Sequence, residues 1–542
     1  MQALELILVL LAATAALHLL AVRLVLPTPV LLVLGGAVLA LIPELPRPAL
    51  SPEVIFLVFI PPLLYWTAFN TSWRDFRANL RAISLLAVGL VLATMAAVAA
   101  VAHALAPRMG WGAAFVLGAI VSPPDPVAVT AVTRRLRVAR DIVTILEGEG
   151  LVNDATALVA YRMAVAAVVA GGFSLGEAAV GFAWSAIGGV GVGLAVGAGI
   201  GWIRTRIGKA PVVENTISVL TPFAAYIPAE RLGTSGVLAV VAVGLYLGRR
   251  APRLVSPETR TQATAMWEMF SFFLEGLIFI LIGLELPFVL AALHEYSVGT
   301  LAGLAAAVSG VAILVRMIWV IPGSFLIRSI LRRLGSDERK PPWRAVAFIG
   351  WAGLRGGDSL VIALSLPRLV AAGTPFPGRD LILFLTFAVI FVTLVLQGLT
   401  LKTVIRALGM RPDAGAAEEE MKARDRVSAA GLAALRAMPA EDAEAREALA
   451  ALEERYRHRS HRYAARLRGE RHARDESRTE ASRRMRLAMI AAERDALLKL
   501  RDDDVISDDV MRDIQRDLDL EQLLIESREA AQGALGEVPA PG

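Results

Sequence analysis

The 542-residue chain is 56% hydrophobic and 19% charged, carries a formal net charge of +5 and contains no cysteine. Without cysteine there are no disulfides, iron–sulfur clusters, thiol catalysis or thiolate zinc, and hundreds of residues this apolar, in runs of roughly twenty, exclude an ordinary soluble fold. The averages hide two unlike parts: residues 1–410 hold 31 Lys and Arg against 21 Asp and Glu, whereas residues 411–542 hold 24 against 29. The chain reads as an all-α polytopic membrane protein followed by a charged helical cytoplasmic tail.

Apolar runs long enough to cross a bilayer can be placed thirteen times, over residues 3–22, 28–43, 53–70, 82–105, 112–133, 142–170, 178–203, 212–229, 232–248, 266–293, 298–327, 344–371 and 380–408. The first carries Glu5, lacks a basic flank and is followed by no small-residue cleavage site, so it reads as a retained helix rather than a signal peptide. The basic residues test the count. Loops after odd-numbered spans carry 21 Lys and Arg and loops after even-numbered spans only 5, a positive-inside bias that puts the N-terminus outside and the tail in the cytoplasm. Three arginines stay within spans: Arg162, Arg316 and Arg355. So do the acids Asp125, Glu147, Glu149, Asp154, Glu268, Glu275 and Asp358. Charges so far from the loops mark ion or proton paths, or else internal ion pairs that orient helices.

The fifth span reads Ser122-Pro-Pro-Asp-Pro126 at its centre. Each proline removes an N–H and clashes with the carbonyl four residues back, so the helix cannot continue and the carbonyls of Ala119, Ile120 and Ser122 lose their usual donors. Within a bilayer such a break is tolerated only where it is buried in protein or lines a watery cavity, and freed carbonyls beside the Asp125 carboxylate suit a hard cation. The sixth span supplies Glu149, Gly150, Asn153 and Asp154. Helical spacing places Asn153 one turn beyond Glu149 and Asp154 one turn beyond Gly150, leaving space beside the Asp154 carboxylate. A half-desolvated carboxylate is one for which protons and a small cation compete near neutral pH. The twelfth span breaks at Gly353-Leu-Arg-Gly-Gly-Asp358, where glycines loosen the helix around an arginine and an aspartate. Spans five and twelve lie seven apart, an odd offset that reverses orientation. Two interrupted helices at corresponding places in inverted halves (spans 1–6 and 8–13) point to a secondary transporter's midplane site. Burying Glu149 or Arg355 alone is costly, so these two are expected to pair, as are Asp125 and Arg316.

These stretches resemble the monovalent cation:proton antiporter superfamily, in its sodium/proton exchanger branch (NhaP/NHE-like, bacterial type). The likeness rests on Ser122-Pro-Pro-Asp-Pro-Val-Ala-Val129, Leu146-Glu-Gly-Glu-Gly-Leu-Val-Asn-Asp154, Trp351-Ala-Gly-Leu-Arg-Gly356, Gly276-Leu-Ile-Phe-Ile-Leu-Ile-Gly-Leu-Glu-Leu286 and Arg316-Met-Ile-Trp-Val320, in register from about residue 5 to 410. The resemblance implies a homodimer with elevator-like alternating access. In it a core of spans 4–6 and 11–13 moves against a dimerisation domain of spans 1–3 and 8–10, span seven links the halves, and spans five and twelve cross where they unwind. It implies Asp154 as the ion- and proton-binding carboxylate, with Asn153, Asp125, Pro124 and Gly150 around it, and ion pairs Glu149–Arg355 and Asp125–Arg316. Asn153 stands where electrogenic relatives have a second Asp, which implies electroneutral exchange. This chain departs from the family pattern in three places. Gly150 replaces a frequent Ser, Pro124 replaces a frequent Thr, and Asp358 stands where the family usually has a small apolar residue. Asp358 is expected to join Arg355, three residues back; if it titrates instead, electroneutrality is in doubt.

Other patterns carry less. The glycines from Gly188 to Gly201 have the small-xxx-small spacing of close helix packing. Gly233-Thr-Ser-Gly236 matches the nucleophile motif of an intramembrane serine protease, but no histidine lies mid-span after Ser235 to act as base. In the tail, Leu449, Leu452, Tyr456, Tyr463 and Leu467 mark surface helices, a helical pair or a coiled coil. Asp502 to Asp509 lack the glycine and spacing of a calcium loop. The expectation is a plasma (inner) membrane antiporter exchanging protons for sodium, not an enzyme. Potassium/proton exchange and a cation channel are the alternatives. Its partners are membrane lipids, the transported Na+ or K+ and H+, and a second copy; no cofactor or nucleic acid is expected, and the tail is a candidate for a regulatory ligand.

Overall fold

A computed structural model describes residues 2–24, 27–42, 52–125, 129–130, 133, 138–170, 175–207, 210–333, 342–370, 373–410, 414–439, 443–467, 473–503, 511, 514–515 and 517–526. Among these residues the architecture is helical, and the only strand-like pairing is an isolated bridge between Leu369 and Pro375. The chain divides into two compact units, Met1–Arg411 and Pro412–Gly542.

In the first unit the helices are α1 (Gln2–Leu24), α2 (Thr28–Leu39), α3 (Pro52–Asn70), α4 (Leu80–Leu105), α5 (Gly110–Val121), α6 (Arg140–Ala170) and α7 (Leu175–Ile207). They continue as α8 (Pro211–Arg231), α9 (Gly236–Leu254), α10 (Pro257–Ala292), α11 (Val298–Arg333), α12 (Trp343–Trp351), α13 (Gly357–Leu364) and α14 (Arg379–Ala407). Among the described residues, seven helical stretches are long and apolar enough to cross a membrane, within α1, α4, α6, α7, α10, α11 and α14; shorter apolar stretches lie in α2 and α3 and across Pro107–Val121.

Helix ends follow local chemistry. The Ser256 hydroxyl accepts from Thr259 N–H, Pro257 occupies the first turn and Glu258 sits there too, so α10 begins nine residues before the apolar run expected from 266. Hydropathy registers only the apolar part of a helix, and its polar first turn escapes notice. In the opposite sense, α13 stops at Leu364, short of the expected 371, because Pro367 cannot donate to the helix and biases Leu366 away from it. The expected basic loop markers Arg47, Arg134, Arg135, Arg137, Lys209, Arg339 and Lys340 lie outside the described residues. So does most of the fifth span after Asp125, Val129, Thr130 and Thr133 excepted.

Small residues set the closest contacts. A side-chain carbon at Gly193 of α7 would strike the Ala239 carbonyl of α9, and one at Gly283 of α10 would strike the Val33 carbonyl of α2. These pairs pack backbone to backbone, as the glycine spacing predicts for α7. Around the candidate site, α5 packs on α4 and α6, α11 on α4, α12 and α14, and α13 on α3, α5, α10 and α14. Two helices loosen into π-helical turns, Leu85–Leu90 in α4 and Leu394–Gly398 in α14.

The second unit contains α15 (Ala414–Arg436), α16 (Ala443–Leu467) and α17 (Ala473–Asp502). Helices α15 and α16 pack together, with Gly431 facing the Tyr456 ring and Arg436 bonded to Glu453 at 2.7 Å.

Candidate functional site

The site begins where α5 stops. After Val121, residues Ser122–Asp125 are non-helical, as three prolines in the stretch 123–126 require. Two carbonyls deprived of helical donors find others: the Ser122 hydroxyl donates to Ala119 O at 2.9 Å, and an Arg355 guanidinium N–H donates to Ser122 O. Asp125 N–H donates to Leu354 O at 2.7 Å. That acceptor belongs to residues 352–356, a non-helical stretch between α12 and α13. The same stretch is held from α14, where Thr393 Oγ1 accepts from Arg355 N–H at 3.1 Å and Gln397 Nε2 donates to Trp351 O at 2.9 Å. Gln397 lies in the π-helical turn of α14 and Thr393 immediately before it, a local widening of the kind frequent at functional sites. The sequence reading missed both; a glutamine inside an apolar span was the signal for one.

Gly356 is a second place where the two non-helical stretches approach each other. A side-chain carbon there would overlap the Asp125 carboxylate, so glycine is required by proximity. Asp154 on α6 is 8% exposed and its neighbour Asn153 is fully buried. Both amide atoms of Asn153 are buried without a hydrogen-bond partner. Such orphaned polar atoms in a helix interior call for a water or an ion. Gly150 is buried one turn earlier on α6 and Pro124 is buried beside Asp125. The Asp154 carboxylate is within electrostatic reach of Asp358, Asp125 and Glu149, and Glu275 on α10 is within reach of Asp125 and Asp358. Glu275 thus joins the cluster, which the sequence reading had noted only as an intramembrane acid. Among the described residues, no three carboxylates or histidines converge closely enough to cage a metal ion. The arrangement is an electronegative chamber, not a rigid coordination shell.

The expected ion pairs are corrected. Glu149 does not pair with Arg355; it accepts both guanidinium nitrogens of Arg316, at 2.5 and 2.8 Å, with both side chains 1% exposed. Arg316 also donates to Ile349 O at 3.1 Å, and its stem crosses Gly353, where any side chain would collide with it. Helix α11 lies along α12, and the missing side chain at 353 lets Arg316 reach across to α6. Arg316 is therefore not the partner of Asp125, and Arg355 donates to the Ser122 carbonyl, with its Nε buried and unpartnered. Asp358 does not join Arg355 either. Arg355 precedes α13 and lies outside helical geometry, so three-residue spacing does not stack the two side chains. Farther along α6, Arg162 bonds Glu230 of α8 at 2.8 Å, and Glu230 also accepts from Gly236 N–H at 2.9 Å.

Comparison with known proteins places the chain among membrane exchangers. The family model described as the transmembrane sodium/hydrogen exchanger matches residues 7–407. An uncharacterised Na+/H+ exchanger of Mycobacterium tuberculosis is 38% identical over 499 residues, covering 91% of each chain. A sodium, potassium, lithium and rubidium/H+ antiporter of Bacillus subtilis is 37% identical over 388 residues, covering 69% of this chain and 57% of that one. The solved structure of the sodium proton antiporter MjNhaP1 of Methanocaldococcus jannaschii superposes with a TM-score of 0.58 at 19% identity, covering 75% of this chain and 99% of that one, a likeness of fold.

Proposed function

The chain belongs to the sodium/hydrogen exchanger family, and from that premise we propose that it exchanges protons for sodium ions across the plasma (inner) membrane, driven by the proton gradient. The observation that carries this reading is Asp154: an almost buried carboxylate on α6 beside the unpartnered amide of Asn153 and within electrostatic reach of Asp125. A carboxylate in that setting accepts a proton or a desolvated cation, but not both. Sodium entering displaces the proton, and a proton arriving from the other side displaces sodium. Oxygen ligands come from Asp125, the backbone at Pro124 and the amide of Asn153, with a water beside Gly150. Arg316–Glu149, an ion pair that neutralises itself, and the Arg355 bond to the Ser122 carbonyl fix the helices around these groups without taking the ion.

On the same reading the chain crosses the bilayer thirteen times, with its N-terminus outside and its tail in the cytoplasm, supported by the 21-to-5 bias of basic residues between alternate loops. The two non-helical stretches, Ser122–Asp125 and residues 352–356, cross at the midplane. Spans 4–6 and 11–13 form a core that carries the site, elevator-like, past spans 1–3 and 8–10, which form the contact with a second copy. The tail is a regulatory module. Asn153–Asp154 offers one titrating carboxylate where electrogenic relatives have two, which favours one-for-one exchange.

The test is cation-dependent proton movement in proteoliposomes. Asp154→Asn should abolish it while the purified protein keeps its gel-filtration profile; normal exchange in that variant sinks the assignment. The second reading is potassium/proton exchange, favoured by the several cations in the name of the Bacillus relative. Proton flux measured separately against sodium, potassium and lithium separates the two, and a channel would instead pass currents far above a carrier's turnover.

A further inference from the structure

We propose that Asp358 supplies a second negative charge to the chamber served by Asp154, and so sets how tightly the transported monovalent cation is held. The inference rests on the antiport reading above and concerns one residue of its site.

Asp358 lies in the first turn of α13. Its position follows from two contacts on the preceding residues: Gly356 lies against the Asp125 carboxylate, and Gly357 packs on Ile278 and Phe279 of α10, one turn beyond Glu275. Asp358 therefore follows directly on residues that touch Asp125 and α10, and it is within electrostatic reach of Asp125, Asp154 and Glu275. The charged groups on the elements around it are acidic: Asp125 after α5, Glu275 on α10 and Asp154 on α6. Arg379, at the start of α14, acts with Asp380 and Glu285.

Neither buried arginine of the site neutralises Asp358. Arg316 is bound through two nitrogens to Glu149 and through a third to Ile349 O. Arg355 donates to Ser122 O, its Nε is buried without a hydrogen-bond partner, and the charges that act on it are those of Arg316 and Glu149. Asp358 itself makes no hydrogen bond or ion pair among the described residues. A carboxylate inside a span without a cationic side chain is costly, and the species that offsets it here is the cation that the chamber admits. Two further polar groups point the same way. The hydroxyl of Ser359, next in sequence, and the amide of Asn153 are each buried with no hydrogen-bond partner, as groups that serve a water or an ion are. Because the carboxylates do not converge into a cage, Asp358 acts through its field rather than as a fixed ligand.

The experiment uses full-length protein with two readouts. Half-saturating concentrations of sodium, lithium and potassium are measured in proteoliposomes with choline as the replacement cation, and equilibrium binding of radioactive sodium is measured in detergent. Asp358→Asn, nearly isosteric, should raise the half-saturating concentration about tenfold for all three cations, by a similar factor for each because a charge acting at a distance discriminates little by ion size. Sodium binding should weaken in step. Asp358→Glu, which keeps the charge, should stay close to wild type. Unchanged concentrations in Asp358→Asn overturn the proposal, as does loss of exchange with sodium binding intact. Failure of the underlying reading looks different: wild type then shows no cation-dependent proton movement, or Asp154→Asn shows as much as wild type.

Discussion

The same pair of side-chain types is used in two opposite settings in this molecule. In the membrane unit, Arg316 and Glu149 meet with both side chains 1% exposed. In the tail, Arg436 and Glu453 meet with side chains 55% and 22% exposed. Distances of 2.5 and 2.7 Å make them look alike, but the alternatives open to each partner differ. A tail glutamate that loses its arginine is solvated by water. A buried one is left as a bare charge in a low-dielectric interior, with two hydrogen-bond acceptors unmet. Proximity gives the geometry of an ion pair, and burial decides its importance.

Breaking the pairs in turn tests that contrast. Arg316→Ala or Glu149→Ala should cost the most, about 3–5 kcal/mol from an uncompensated buried charge, seen as a large fall in thermal midpoint in detergent. Replacing both at once with apolar residues of similar volume should recover much of that loss, and equal damage in the double variant would show that the pair does more than neutralise itself. The half-exposed Arg162–Glu230 pair comes next. Arg162→Ala should cost no more than about 1 kcal/mol, and Glu230→Ala more than Arg162→Ala because it also removes the acceptor of Gly236 N–H. The tail pair should matter least and be sensitive to pH. Hydrogen bonds from Arg436 and Arg457 hold the Glu453 carboxyl below its usual range. Its contribution is therefore present above the unfolded glutamate value of about 4.3 and fades as pH falls through the lower folded value. Hydrogen exchange across α15 and α16 should show a small acid-side loss of protection that Glu453→Gln removes.

Much of the site was legible along the chain because its signals are local. Prolines at 123, 124 and 126 end α5 wherever it packs, and the glycines at 353, 356 and 357 lie at the gap between α12 and α13. An aspartate one turn from Gly150 on an apolar helix is unusual whatever surrounds it. The pairing of charges was not legible. Glu149 and Arg316 are 167 residues apart, and Arg355 and Ser122 are 233 apart. Helical spacing says which residues share a face of one helix, but not which face of another helix lies opposite. The expected pairing therefore gave Glu149 the wrong one of two arginines that the sequence treats as equivalent, and the Arg355–Asp358 expectation assumed a helix across residues that are not helical.

The sequence by itself determined that the chain is a string of apolar helices with a charged tail, that two of the predicted spans are interrupted, and that Asp125 stands at one interruption and Asn153 and Asp154 on the span between. Hydropathy, proline and glycine act through the backbone of the segment that contains them. Only the tertiary structure decided that Arg316 neutralises Glu149, that Arg355 serves a freed carbonyl, and that Glu275 and Asp358, the latter with no ion pair among the described residues, lie within electrostatic reach of the other site carboxylates. Those outcomes depend on which helices lie side by side and at what level. That is settled by packing details as small as the missing side chain at Gly353 and the contact of Gly356 with Asp125.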